Sequence, residues 1–240
     1  MVKVKRRLLP EVGLDPRELP AYSVPEAARY LRMPPATLRS WVIGRPYPTA
    51  GGERFFTPLI HLPQEGWPVL SFVNMVEAHV LEAIRRRENI ALRKARAAVR
   101  SLERLYRSRH PLAEHQFETD GVDLFIREAR LLINLSQAGQ LAMREIVTAY
   151  LRRIERDIKG LPIRLYPFTR KREPDEPRAV VIDPFVSFGR PVLAGTGIAT
   201  AVLAERFKAG ESVEDLAKDY GRSALDIQEA LRCEIPLEAA

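Results

Sequence analysis

Cysteine is almost absent from this 240-residue chain. Cys233 stands alone, which excludes an internal disulfide and leaves no second thiolate for a structural zinc site. A lone thiol in a helix end fits a buried bystander better than a nucleophile. Histidine is scarce too, and His61, His79, His110 and His115 lack the spacing of a metal-ligand set. No apolar run reaches the ~20 residues of a membrane-spanning helix. The basic start MVKVKRRLLP is not followed by a signal-peptide core, so a cytoplasmic location is expected. There is no P-loop, and LAGTG at 193–197 is too short for a dinucleotide fingerprint. Carboxylates are abundant, but Asp120 and Asp123 belong to a turn and others fall on helix surfaces. A metal-dependent nuclease needs several of them converging at strand ends. The expectation is a protein with no catalytic residues, no metal and no cofactor.

What the chain does have is unevenly placed positive charge. The formal net charge is +7, yet residues 1–110 hold 20 basic against 10 acidic residues, and residues 111–240 hold 18 against 21. The stretch 205–240 is acidic, with 5 basic and 9 acidic residues. A basic half suits phosphate neutralisation; an acidic end does not.

Local signals divide the chain into three parts. Ser23 with Glu26 three residues on makes a capping box and opens a helix at about 24–32. Pro34 and Pro35 break it and start a second at about 35–43, which Gly44 ends. The glycine-tipped segment that follows leads into a β segment at Arg54–Thr57, the position of a wing. Apolar stripes then predict helices at 72–88 and 91–108, joined tightly at Asn89 and dotted with Arg85, Arg86, Arg87, Arg93, Lys94, Arg96 and Arg100. Those cations serve equally as a solvated face or as phosphate contacts. Asp120-Gly121 predicts a hairpin, LLINLS a continuation of its sheet, and Gln137–Arg156 a helix stopped by Gly160. LPIRLYPF and AVVIDP read as strands, separated by the charged, exposed segment TRKREPDEP. The predicted fold is α+β: a winged helix-turn-helix domain at 22–108, a mixed hairpin, helix and strand section at 109–178, and a small helical module at 179–236.

Two stretches carry helix-turn-helix spacing, in which a small residue lets two helices approach and an aliphatic residue locks the second onto the first. Ala28 and Leu38 mark the first; Ala217, Gly221 and Ile227 mark the second. In the first, Leu38, Trp41 and Val42 should be buried, leaving Thr37, Arg39 and Ser40 facing outward to reach bases or phosphates. In the second, the outer face would carry Glu211, Glu214, Asp215, Asp219, Asp226 and Glu229. That face would be repelled by a phosphate backbone, so contact with protein is favoured there.

Residues 22–108 resemble the MerR-type winged helix-turn-helix, whose Thr-Leu-Arg phrase is matched by Thr37, Leu38 and Arg39. Arg32 stands where that family usually has glycine, and Ser40-Trp41 replaces an aromatic pair. The segment from Gly189 resembles the module known as domain of unknown function 433. Gly189, Arg190, Pro191, Gly195, Thr196, Ile198, Gly210 and Ser212 fit its pattern, while Gly197 and Ala199 depart from it. Arg190, flanked by glycine, also fits a simple loop-fixing role beside a carboxylate. The order of parts resembles a long VapB-type antitoxin.

That resemblance implies an antitoxin of a type II toxin–antitoxin pair, which would neutralise a PIN-like ribonuclease toxin and, as a homodimer, repress its own operon at promoter DNA. DNA contact would come from Thr37, Arg39, Ser40 and Arg45, with Arg54 in the wing. Arg164, Arg170, Lys171, Arg172 and Arg178 form the best basic segment outside the DNA-binding half, fit either to plug a carboxylate-rich toxin site or to act as a solubilising linker. A stand-alone MerR-like regulator without a toxin partner is the alternative from another class.

Overall fold

The computed structural model describes residues 15–49, 51–86, 92–114, 117–123, 125–126, 137–170, 172–173 and 175–235. Strand β1 (Tyr22–Ser23) runs into helix α1 (Val24–Tyr30), which is capped as expected. The Glu26 amide donates to the Ser23 hydroxyl at 3.4 Å and the Ser23 amide donates to the Glu26 carboxylate at 3.0 Å, so two otherwise orphaned N–H groups are satisfied. Helix α2 (Pro35–Val42) begins on proline, whose missing donor is harmless in a first turn. Between them Arg32 adopts φ 54°, the left-handed conformation that glycine reaches without strain. Ala27, Ala28, Leu38 and Trp41 are all fully buried where the two helices close on each other.

A hairpin follows, β2 (Arg45–Thr49) paired with β3 (Gly52–Phe56), so the wing has two full strands where one short segment was expected. Gly44 is required at its base: φ is 84°, and a Cβ there would lie 2.2 Å from the Phe56 carbonyl oxygen. Strand β4 (Val69–Leu70) pairs back onto β1. Helices α3 (Phe72–Arg86) and α4 (Leu92–Tyr106) match the two predicted stripes; the closure at Asn89 lies outside the described residues.

The middle section departs from its sequence signals. Phe117–Gly121 is one wide π-helical turn, not a hairpin. Gly121 is there for close packing, since a Cβ would meet the Phe117 ring and the Tyr106 hydroxyl, each at 2.8 Å. LLINLS lies outside the described residues. Helix α5 (Gln137–Leu151) packs along α3 and ends five residues before the predicted Arg156. The reason is Arg153, 1% exposed, which leaves the helical path to turn its guanidinium inward. It donates to the carbonyls of Tyr166, Pro167, Glu176 and Pro177 at 2.6–3.2 Å and lies 4.3 Å from the Phe168 ring centroid. Strands β5 (Ile154–Arg156) and β6 (Pro162–Leu165) then form a hairpin, with Gly160 in its turn instead of at a helix end. Leu165 bridges to Ile182, beside β7 (Val180–Val181), which pairs with β8 (Val192–Leu193). Helices α6 (Thr200–Lys208), α7 (Val213–Tyr220) and α8 (Ala224–Glu234) follow.

One hydrophobic core runs from Tyr22 to Ile182 and takes in Cys233 of α8; a smaller one joins Leu193, Leu203, Leu216, Ile227 and Ala230. Burial pushes the Cys233 thiol up to about 12, so it stays protonated and unreactive. His79 is likewise a neutral core residue, its pKa lowered to about 3 by burial, packed against Tyr150 and Phe168.

A buried pair makes stability depend on pH. The Glu77 carboxylate, 2% exposed, lies 2.8 Å from His110 Nδ1. Burial raises the Glu77 pKa. Burial also opposes the His110 imidazolium, but the hydrogen bond and charge of Glu77 outweigh it and raise the pKa above 6.5. Both groups bind protons more tightly in the folded chain than in the unfolded one, so stability falls as pH rises. The His110 contribution is complete below 6.5 and lost as pH climbs through its folded value. Urea midpoints measured from pH 6 to 9 should fall in the wild type, and His110→Asn should flatten that fall.

Candidate nucleic-acid interface

Exposed arginines stand on α2 and on the wing. Arg39 projects from α2 into solvent. In the wing, Tyr47 pairs with Arg54 and Arg45 with Phe56, a register that puts Arg45, Tyr47 and Arg54 on one face. Arg39, Arg45 and Arg54 are exposed and have no carboxylate partner among the described residues. Their charge is therefore uncompensated, the condition in which a guanidinium is available to a phosphate or a guanine edge.

Thr37 is half-buried at the start of α2, and its hydroxyl accepts from Arg85 Nη1 of α3 at 3.0 Å. Ser40 corrects the sequence expectation: it is 5% exposed and its hydroxyl donates to the Thr37 carbonyl at 2.7 Å. A short polar side chain satisfied by its own helix can face inward, so Ser40 is not on the exposed face. Arg96 and Arg100 of α4 brace the wing. The Arg96 guanidinium lies 3.7 Å from the Phe56 ring centroid and donates to the Thr57 carbonyl, while Arg100 donates to the Thr57 hydroxyl at 3.3 Å.

The segment TRKREPDEP is exposed at Arg170, Glu173, Asp175 and Pro177, as expected, but it is also fastened to the rest of the chain. Thr169 and Glu176 are buried, at 1% and 7%. Arg172 donates to the carbonyl of Arg32 in the helix-turn-helix turn and pairs with Glu82 of α3 at 2.8 Å. Arg170 Nε pairs with Glu229 of α8 at 2.7 Å. These two cations fasten the middle of the chain to both helical parts. Arg164 is bound to Glu155 and Asp183, both at 3.0 Å, and remains partly exposed. Arg178 is exposed and donates to the Arg152 carbonyl. Lys171 lies outside the described residues.

The second helix-turn-helix is well formed: Ser212 and Ser223 cap α7 and α8, and Gly221 takes φ 59° between them. Its second helix is not free, however. Helix α8 packs on α6 and on α1, with Arg29 paired to Glu234 at 3.2 Å and Cys233 in the main core. Glu229, expected outside, is 1% exposed and bound by Thr169, Arg170 and Arg232. Burial works against its ionisation, but those partners hold the carboxyl below the usual range. Glu214, Asp215 and Asp219 remain exposed, and Glu211 and Asp226 are half-buried. Arg190 fixes its loop by pairing with Glu26, inside the α1 capping box.

Two family models match the chain. One described as "Putative DNA-binding HTH domain" matches residues 20–99, and one described as "Protein of unknown function (DUF433)" matches residues 180–232. A Mycobacterium tuberculosis protein named "Putative antitoxin VapB45" is 32% identical over 235 residues, covering 89% of this chain and 93% of that protein. The chain belongs to this VapB-like antitoxin family. A second M. tuberculosis protein, "Uncharacterized protein Rv2308", is 26% identical over 224 residues, with 90% of this chain and 89% of that one covered. The crystal structure of Rv2018 from the same organism superimposes with a TM-score of 0.63 at 26% identity, covering 89% of this chain and 98% of that one. The family fold is mixed α/β, with an N-terminal helical region at the helix-turn-helix match and a C-terminal helical bundle at the other. Among the described residues, no group of three His, Cys, Asp or Glu is placed to hold a metal, and no helix is long and apolar enough to cross a membrane.

Sequence reasoning missed the part Arg85 plays at this surface. It was visible only as one cation on a basic helix; its contact with Thr37, 48 positions away, depends on how α3 packs beside α2. No spacing rule reports that.

Proposed function

We propose that this protein is a repressing antitoxin that reads promoter DNA through α2 and the wing and restrains a PIN-like ribonuclease toxin by direct contact. The observation that carries the DNA half is the set Arg39, Arg45 and Arg54: three exposed guanidiniums on one helix and one hairpin, with no carboxylate partner among the described residues. Arg39 on α2 enters the major groove, and the wing arginines hold the flanking backbone. Thr37, with Arg85 bound to its hydroxyl, meets DNA at the first turn of α2. A homodimer supplies the paired readers that paired half-sites require.

The toxin half rests on family membership and on the exposed carboxylates of α7, which suit a protein partner better than DNA. Of the basic segment, Arg178 is the described residue best placed to approach a carboxylate-rich toxin site, since Arg164, Arg170 and Arg172 each pair with a carboxylate within the chain. Two measurements test the proposal separately. The full chain should shift its own promoter fragment at nanomolar to micromolar concentration in roughly 100 mM salt. Co-expressed with the neighbouring reading frame, it should purify as a complex in which RNase activity is suppressed. Purification as a lone DNA-bound dimer beside a free neighbour would remove the toxin half and leave a regulator.

A further inference from the structure

A groove of about 480 Å³ opens beside the C-terminal end of α2, between that helix and residues 58–68. Its lining is mainly apolar, including Val42, Ile60, Pro68 and the Trp67 ring. The loop is fastened to the helix: the Leu59 and Ile60 amides donate to the Trp41 carbonyl at 2.7 and 3.1 Å. Asn74 Nδ2 donates to the His61 carbonyl at 2.9 Å. The groove is thus preformed, as ligand sites usually are. Trp67 is 48% exposed, whereas the other tryptophan, Trp41, is fully buried. An indole held half in water gains little from packing and offers a face for stacking. Arg39 and Arg109 line the same groove, both exposed and neither with a carboxylate partner among the described residues. Among the described residues, Glu65 is the one acidic residue in the lining. An aromatic face, an apolar floor and surplus positive charge together fit a planar ring that carries an anionic group.

We propose that this groove binds a small aromatic anion, with its ring against Trp67 and its charge on Arg109 and Arg39. Arg39 would also face DNA, so an occupied groove competes with DNA for that guanidinium. The competition rests on the function proposed above; the site does not.

The test is calorimetric titration of the full chain with 2-naphthoate, using the uncharged 2-naphthamide as control. Saturable one-to-one binding at high micromolar to millimolar concentration is expected for the acid. Arg109→Gln and Trp67→Ala should each weaken it about five- to tenfold, Trp67→Phe should largely restore it, and the amide should bind at least as weakly as the variants. Both residues are exposed, and unchanged circular dichroism and melting would confirm that the variants fold. No saturable binding by the wild type, or binding by Arg109→Gln and Trp67→Ala as tight as the wild type's, overturns the site. In the second arm, naphthoate at ten times its Kd should raise the apparent Kd for promoter DNA about tenfold in the wild type. The same concentration should have less effect on Trp67→Ala. Naphthoate binding with unchanged DNA affinity keeps the site and overturns the competition. If Arg39→Ala leaves DNA affinity intact while the wild type binds naphthoate, the DNA-reading assignment falls and the site stands.

Discussion

Arg153→Ala is expected to lower folding stability by about 3–5 kcal/mol, measured as the urea-unfolding free energy. Its guanidinium has no carboxylate partner among the described residues and instead donates to four carbonyls, two of them at Glu176 and Pro177. Truncation strands these acceptors in a site that is 1% exposed, at roughly 1–3 kcal/mol for each one that water cannot reach. It also removes the stacking on Phe168. Arg153→Lys separates charge from geometry, because an ammonium keeps the charge but cannot span four acceptors with a planar fork. It should lose about half as much. If alanine cost under about 1 kcal/mol, the guanidinium would not be the anchor of residues 166–177.

The anchor also explains which parts of the chain could be read in advance. Helix ends set by local chemistry were legible: Ser23 with Glu26 and Pro35 after Pro34 both act within one turn. The stripes of α3 and α4 were legible because burial repeats at helical period. What failed depends on partners distant in sequence. Nothing local says that Arg153 turns inward to residues 166–177, or that Arg172 reaches the Arg32 carbonyl and Glu82. A run of charges reads as a solvated strip unless its carbonyl and carboxylate partners are known. Asp120-Gly121 misled for a related reason: the same glycine that permits a hairpin turn also permits close packing against Phe117 and Tyr106. Ser40 misled because a hydroxyl looks outward-facing on a helical wheel until its intrahelical acceptor is seen.

The two helix-turn-helix signatures show how packing decides what spacing leaves open. Both have the small-to-aliphatic interval, and charge alone already favoured the first as the DNA reader. Geometry adds a stronger reason. The helix of the second copy that would enter a groove is α8, and it is packed against α1 of the first copy. Exposing α8 would break the Arg29–Glu234 pair, strip the partners from buried Glu229 and open the core at Cys233. The C-terminal module thus packs against α1 of the first helix-turn-helix.

Combined removal of Arg39, Arg45 and Arg54 is therefore expected to have the largest effect on DNA binding of any surface change. The triple alanine variant should bind promoter DNA about 10²–10³-fold more weakly in roughly 100 mM salt, read by fluorescence anisotropy. The slope of log K against log[salt] should become shallower by about 0.9 for each phosphate contact removed, hence by two to three if all three contact the backbone. An arginine that reads a base instead would lose affinity with little change in slope and would relax preference at one position of the site. Arg39 on α2 is the residue expected to behave that way, whereas Arg45 and Arg54 in the wing should follow the salt rule. Ser40→Ala serves as the control, because its hydroxyl is bound within α2 and should leave DNA affinity within about twofold. Neutralising Glu214, Asp215 and Asp219 together as the amides should not weaken DNA binding, since these carboxylates lie on the module whose second helix is buried. If that amide variant lost DNA affinity while the arginine triple kept it, the roles assigned to the two helix-turn-helix units would be reversed.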